Sequence, residues 1–217
     1  MKKFALATAL SFSFILSKAQ DSLKHFEFGA TLFTVNSLNK QFFFPTDRAP
    51  VDIMSGLFFR YTKNRFGFRS QVYYSKNYFT GYRQITSADV ITAGNTNKNF
   101  EIGIGGQYTL LKKKDWLYTF VDLSYRNQFS SGYHYMSGSG VNAFTNSTNG
   151  LNTAIGFGAK IKMCNNLYLS PELGYSVFYG NRKHSMTNMS TGDTYKYNGN
   201  YFNPGGFLKL HFTYKFK

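Results

Sequence analysis

The chain has 217 residues, 25 Lys and Arg against 10 Asp and Glu, 42% hydrophobic residues and 19% aromatic residues. That length holds one domain with a short appendage, and a lone cysteine, Cys164, rules out an internal disulfide and a cysteine cluster for metal. A net charge of +15 raises nucleic acid as a partner, but no basic cluster sits on a helical pattern, and the N-terminus argues for export.

Lys2 and Lys3 precede an apolar stretch from Phe4 to Leu16, followed by Ser17-Lys18-Ala19. This is a basic n-region, a short h-region and a small-x-small cleavage site. Cleavage after Ala19 is expected, so residues 1–19 are a signal peptide and residues 20–217 the mature domain. The apolar run is shorter than the ~20 residues a membrane-spanning helix needs. Without Lys2, Lys3 and Lys18 the mature chain has 22 basic and 10 acidic residues, a net +12. Lys112-Lys113-Lys114 is the one basic run; it reads as a solvated turn or a contact with anionic headgroups.

Eight segments then alternate with period two, the signature of strands with two unlike faces. In the first, Phe26, Phe28, Ala30 and Leu32 oppose Glu27, Gly29, Thr31 and Phe33. The second sets Ile53, Ser55, Leu57, Phe59 and Tyr61 against Met54, Gly56, Phe58, Arg60 and Thr62. In the third, Phe66, Phe68, Ser70, Val72 and Tyr74 oppose Gly67, Arg69, Gln71 and Tyr73. The fourth has Phe100, Ile102, Ile104 and Tyr108 against Glu101, Gly103, Gly105 and Gln107.

The fifth places Leu117, Val121, Leu123 and Tyr125 opposite Tyr118, Phe120, Asp122, Ser124 and Arg126. In the sixth, Leu151, Ile155, Phe157, Ala159 and Ile161 oppose Asn152, Gly156, Gly158 and Lys160. The seventh sets Leu167, Leu169, Leu173, Tyr175 and Val177 against Tyr168, Ser170, Glu172, Gly174 and Ser176. In the eighth, Leu208, Leu210, Phe212, Tyr214 and Phe216 oppose Phe207, Lys209, His211, Thr213 and Lys215.

Each segment is about ten residues long, the length a tilted strand needs to cross a bilayer. Every charge well inside a span falls on the second face: Glu27, Arg60, Arg69, Glu101, Asp122, Arg126, Lys160, Glu172 and Lys209. A basic side chain facing lipid near the midplane costs about 2–4 kcal/mol, so a charge-free face is what lipid demands. Tight turns at Lys63-Asn64-Arg65, Lys112 to Asp115 and Cys164-Asn165-Asn166 alternate with long polar loops. Those loops are expected around Asn36 to Asp52, Asn77 to Asn99, Asn127 to Gly150 and Gly180 to Asn203.

The fold read from this pattern is an all-β, eight-stranded, antiparallel up-and-down transmembrane barrel with short periplasmic turns and four long extracellular loops. A soluble lipocalin-like barrel is the alternative; it would put apolar residues inside. Tyr61, Phe66, Tyr108, Trp116, Tyr214 and Phe216 gather near the short-turn rim and suit an aromatic girdle at the headgroups. Pro171 falls mid-strand, where a closed barrel has no free edge, so a bulge or a missing ladder bond is expected there.

Tyr168-Leu169-Ser170-Pro171-Glu172-Leu173-Gly174-Tyr175, the preceding Ala154 to Lys160 and the aromatic last strand together resemble the PorT-like outer-membrane β-barrel domain family. The resemblance covers essentially the mature chain. It implies a small barrel in a Gram-negative outer membrane, in a family one subgroup of which assists protein secretion. It also implies insertion through the last strand, although Lys217 follows the terminal aromatic Phe216.

An eight-stranded barrel leaves an interior just wide enough for side chains. The nine inward charges are therefore expected to pair, with Gln71, Gln107, Tyr73 and Tyr168 joining them. Two readings stay open, a polar plug or the lining of a narrow channel; the bulk of inward Phe58, Phe120 and Phe178 favours the plug. No nucleophile, base and acid stand in a recognisable order, so no catalytic residue is assigned. His184-Ser185 is the one adjacent pair, and a lipid A-modifying hydrolase or acyltransferase is the enzymatic alternative. The four His lack metal-ligand spacing, and neither cofactor nor metal is expected.

The remaining expectations concern partners. They are outer-membrane lipid and lipopolysaccharide, the barrel-insertion machinery, and a surface ligand or secretion-system component met through the loops. Nucleic acid is not among them. The loops are rich in Asn, Ser, Thr, Gly and Tyr, a composition suited to adaptable recognition. Phe42-Phe43-Phe44-Pro45 is expected against the rim, lipid or a partner. Alternation at Asp193 to Tyr197 predicts that the last loop continues as a ribbon. The function expected is an integral outer-membrane barrel serving envelope structure or surface interaction, with a narrow channel as the alternative.

Overall fold

The computed structural model describes residues 24–36, 53–86, 89–111, 116–136 and 140–216. The leader, the Phe42 to Pro45 run and the Lys112 to Lys114 turn lie outside the described residues. All described elements are strands: β1 (Lys24–Asn36), β2 (Ile53–Lys63), β3 (Phe66–Thr86), β4 (Asp89–Thr109), β5 (Leu117–Met136), β6 (Gly140–Ala159), β7 (Ile161–Cys164), β8 (Leu167–Asn188) and β9 (Thr194–Phe216).

Neighbours pair antiparallel from β1 through β6, β6 pairs β8, β8 pairs β9, and β9 returns to β1. The sheet closes on itself. β7 is no separate wall of the ring, because it prolongs β6 against the same partner: Gly158 faces Glu172 and, three residues later, Ile161 faces Leu169. Eight antiparallel walls in sequence order form an up-and-down barrel, as the alternation predicts.

Pro171 accounts for the division between β6 and β7. It stays opposite Leu210 on the β9 side, but the β8 ladder to β6 lapses after Glu172 and resumes at Leu169. Proline has no N–H to donate, so one bond is missing and no bulge is required there. Lys160, in the gap, turns its own N–H the other way, to the carbonyl of Trp116 at 2.6 Å.

The division of faces follows the sequence with one exception. Glu27, Phe58, Arg60, Arg69, Tyr73, Glu101, Tyr118, Phe120, Asp122, Glu172, Phe207 and His211 are all buried inside. Leu57, Ile102, Ile104, Val121, Leu123, Leu151, Ile155, Phe157 and Leu173 are exposed on the outer wall. The exception is in β1. A register shift after Thr31 places Thr34 in the buried set, where strict alternation would put Phe33. A bulge adds one residue and flips the phase beyond it, and no alternation pattern announces it.

The larger correction concerns the loops. The second and third predicted loops are mostly strand, and the ribbon expected of the fourth is present: β3, β4, β5, β6, β8 and β9 run for 20 to 23 residues each. About ten residues cross a bilayer, so each continues for roughly 35 Å along the strand beyond it. Pairing persists through the extension, from Thr86 opposite Asp89 to Met136 opposite Gly140 and Thr187 opposite Thr194. The segment joining β1 to β2, residues 37–52, lies outside the described residues. Among the described residues the extension is a curved wall of six strands, continuous with the barrel below.

Inside, Tyr118, Phe120, Ala154 and Phe207 form an apolar cluster. Glycine on the facing strand makes room for it. A Cβ on Gly158 would run into the Tyr118 ring, and one on Gly174 would stand 2.7 Å from Cζ of Phe207.

Candidate functional site

Every wall of the ring sends at least one charge inward, and none of the nine is more than 6% exposed. The strands place them at matched heights: Glu27 faces Arg60, Arg60 faces Arg69, Glu101 faces Arg126 and Glu172 faces Lys209 across neighbouring ladders. Two of these neighbours pair directly, Glu27 with Arg60 and Glu101 with Arg126, and the other side chains bridge the interior.

Near the short-turn rim, Glu27 accepts from Arg60 Nη1 at 2.9 Å and from Lys160 Nζ at 2.6 Å. Arg60 Nη2 donates to the Tyr118 hydroxyl at 2.7 Å, and that hydroxyl donates to Glu172 Oε1 at 2.7 Å. Glu172 also takes both Nη groups of Arg69, each at 2.7 Å. His211 Nε2 lies 3.0 Å from Glu172 Oε2, and its Nδ1 lies 2.8 Å from the Thr31 hydroxyl.

One layer further in, Arg69 Nε lies 2.9 Å from Asp122 Oδ1. Gln71 donates to Asp122 Oδ2 at 3.3 Å and accepts from Tyr73 at 2.5 Å and from Lys209 at 3.4 Å. The last layer joins Arg126 to Glu101 at 2.6 and 2.7 Å, with Ser124 and Asn152 also donating to Glu101. Aromatic faces cap the cations: Arg60 over Tyr118 at 4.5 Å, Arg69 over Phe120 at 4.1 Å and Lys209 over Phe207 at 4.9 Å.

Of the polar groups expected to join this network, Gln71 and Tyr73 do. The Gln107 carboxamide is buried without a hydrogen-bond partner, and Tyr168 is half-buried with Lys215 over its ring. Sequence reasoning missed the part taken by Tyr118, Ser124, Asn152 and Thr31. Their inward parity was readable, but reach across a lumen depends on height in the ring, which the sequence does not display.

The six rim aromatics stand at the ends of their strands. Phe66, Trp116, Tyr214 and Phe216 are exposed, and Tyr61 and Tyr108 are half-buried. Phe66 packs on Tyr108 at 5.0 Å, and Tyr214 meets Phe216 at 4.9 Å edge to face. Tyr61 covers Phe26 at 4.8 Å, which explains why outward Phe26 is only 4% exposed. A second aromatic tier sits higher: Tyr74, Phe100, Tyr125, Tyr179 and Phe202. Directly above it on the outer face, Lys76 faces Lys98. From Phe66 to Tyr74 is roughly 27 Å along the strand at ~3.4 Å per residue, or about 20 Å of height at the tilt of membrane strands, and the two tiers bracket most of an apolar band of about 25 Å.

No family model matches this sequence, and no curated protein matches it significantly. Solved structures do. The chain is similar to a major outer membrane protein from Thermus thermophilus, with 16% identity and a TM-score of 0.52 over 90% of this chain and all of that one. Lower similarity relates it to Ail of Yersinia pestis (13% identity, TM-score 0.45, 89% of this chain and 97% of that one). CarO of Acinetobacter baumannii scores 0.46 at 10% identity, over 87% and 97% of the two chains. The fold is that of outer-membrane β-barrels.

Above the charge network, the extension holds a cavity of about 200 Å³. Two tiers of side chains line it, set by register. Asn99 faces Gln128, Gln128 faces Thr148 and Thr148 faces Arg182; one step higher, Asn97 faces Ser130, Ser130 faces Asn146 and Asn146 faces His184. Tyr201 closes one side, with Arg182 over its ring at 5.5 Å and Phe178 beneath at 6.1 Å. Because these residues were expected in loops, their common inward face was not foreseen. His184 accepts or donates to Asn146 at 2.6 Å, and Ser185 projects to the opposite face of β8, so the two do not meet as nucleophile and base. Among the described residues no group of His, Cys, Asp and Glu could hold a metal ion.

Proposed function

We propose that this protein is an integral outer-membrane barrel with a closed, non-conducting interior that holds a rigid β extension outside the cell for surface interaction. The observation carrying this reading is the Arg69–Glu172 fork, two bonds of 2.7 Å between β3 and β8. Those strands are four steps apart in the ring in either direction, so the fork spans a diameter. Arg60–Tyr118, Lys160–Glu27 and Lys209–Gln71 add chords at other angles. A chain of permeating ions would have to break charge-assisted bonds buried away from water, each far stronger there than at a surface.

The exported leader, lipopolysaccharide contact at the upper aromatic tier and insertion through β9 belong to the same reading. The PorT-like resemblance is consistent with it. Planar-bilayer recording on purified protein is the test. Silent bilayers under conditions where a porin conducts are expected; reproducible ion-selective conductance altered by Arg60→Ala or Glu101→Ala overturns the closed barrel. Envelope fractionation tests the address, and mature protein soluble in the periplasm without detergent overturns it.

A further inference from the structure

We infer that the cavity in the extension is a binding site for a saccharide bearing a carboxylate, of the uronic-acid class. The inference deepens the surface-interaction reading and rests on it.

The first observation is unspent polarity. Among the described residues, the side chains of Asn97, Gln128 and Arg182 have no hydrogen-bond or ion-pair partner, although all three face one cavity. In the barrel below, each carboxylate and each cation is matched. The contrast is one of charge, since uncharged Gln107 in the barrel also lacks a partner; Arg182 stands apart from the matched cations below it.

The second observation is the sign of the cavity. Among the described residues no carboxylate lines it, and Arg182 is its guanidinium. The Arg182 guanidinium lies over the face of Tyr201 at 5.5 Å. A guanidinium presents a planar fork that matches a carboxylate in two-point geometry. An anion is therefore the complement this wall lacks.

The third observation is what surrounds that cation. Carboxamides at Asn97 and Gln128 each offer a donor and an acceptor, as a sugar hydroxyl does, beside Asn99 and Asn146, which already bond Ser75 and His184. The Tyr201 ring supplies the apolar face on which the C–H side of a pyranose can lie. A cavity of about 200 Å³ falls below the ~300–1,000 Å³ of sites for drug-sized ligands. That size fits one ring or the end of a chain. A peptide is less suited, because the groups that line the cavity are side chains on strand faces, whereas extended peptides bind chiefly through a main-chain ladder.

Titration calorimetry on the detergent-purified full chain tests this, with trigalacturonic acid as the probe. Maltotriose is the neutral control, and an acetylated tetrapeptide with a free C-terminal carboxylate is the peptide control. Saturable binding of trigalacturonic acid is expected, with maltotriose at least about tenfold weaker. Arg182→Gln should weaken the acidic probe about tenfold or more and leave maltotriose unchanged, whereas Arg182→Lys should recover part of the loss. Tyr201→Ala should weaken both sugars. Absence of saturable binding, acidic-sugar binding indifferent to Arg182→Gln, or preference for the peptide overturns the inference. Heat-resistant gel migration checks that each variant is folded. Failed sugar binding with silent bilayers removes only the saccharide assignment, whereas conductance removes the closed-barrel reading itself.

Discussion

Arg69 and Glu172 join opposite walls of the barrel by two bonds of 2.7 Å, although 103 residues separate them in sequence. Arg60, which faces Arg69 directly on the neighbouring strand, lies 3.5 Å from the same carboxylate. Two arginines side by side would repel, and Glu172 between them removes that cost. One acid therefore stabilises two cations, a tyrosine hydroxyl and an adjacent imidazole.

Arg69→Met should consequently be severe. It leaves Glu172 and Asp122 buried without their principal cation, and breaking one side of a buried pair costs about 3–5 kcal/mol. Arg69→Met with Glu172→Leu should cost clearly less than the sum of the single changes, because it removes both charges together. Urea unfolding in lipid vesicles, followed by Trp116 fluorescence, measures this. Strict additivity would show that the fork contributes no coupling.

Gly158 and Tyr118 form a steric pair of the same kind. A Cβ at Gly158 meets two ring carbons and the hydroxyl oxygen of Tyr118 before anything else. Overpacking of this sort costs about 1–3 kcal/mol, so Gly158→Ala should lower the unfolding midpoint. In a Tyr118→Leu background the added methyl should cost much less, since the ring it strikes is gone. An equal cost in both backgrounds would assign Gly158 to backbone geometry instead.

How far the sequence reaches can be judged residue by residue. Inward placement of Arg60, Asp122 or Lys209 follows from period two, because a charged side chain among outward Leu and Ile marks the phase. The same logic fails in two places. At Phe33 and Thr34 a bulge shifts the phase without changing the residue types. From Lys76 to Thr86 aromatic and polar residues fall on both faces, and from Asn127 to Met136 Phe129, Tyr133 and Tyr135 alternate with polar residues but carry no aliphatic run, so a paired strand looks like a loop. The cavity lined by Asn97, Gln128 and Arg182 lies inside that unreadable region. Pairs across a diameter, such as Arg69 with Glu172, are invisible for a different reason: register relates neighbours only.

Pro171 offers a test of the ladder itself. The missing bond between β8 and the β6–β7 wall follows from its missing N–H. Pro171→Ala restores a donor opposite Ala159, and one net hydrogen bond is worth about 0.5–1.5 kcal/mol. Lost proline rigidity offsets part of this, by about 0.4–1 kcal/mol. Stability should stay level or rise slightly, and amide exchange should report a protected N–H at residue 171. A rapidly exchanging amide there would mean that the wall is parted by something other than proline.

Ile104 and Tyr133 discriminate membrane from water on the outer wall. Each is 56% exposed in the isolated chain, so exposure alone predicts the same tolerance for a charge. Ile104 lies midway along the apolar band of β4, between Phe100 and Tyr108, whereas Tyr133 projects from the extension of β5 beyond that band. If lipid surrounds the band, Ile104→Arg should cost about 2–4 kcal/mol. Tyr133→Arg, in water, should stay within about 0.5 kcal/mol. Folding titrations into phosphatidylcholine vesicles give both values under one condition. Equal small costs would place water at both positions and leave the apolar band without a cause.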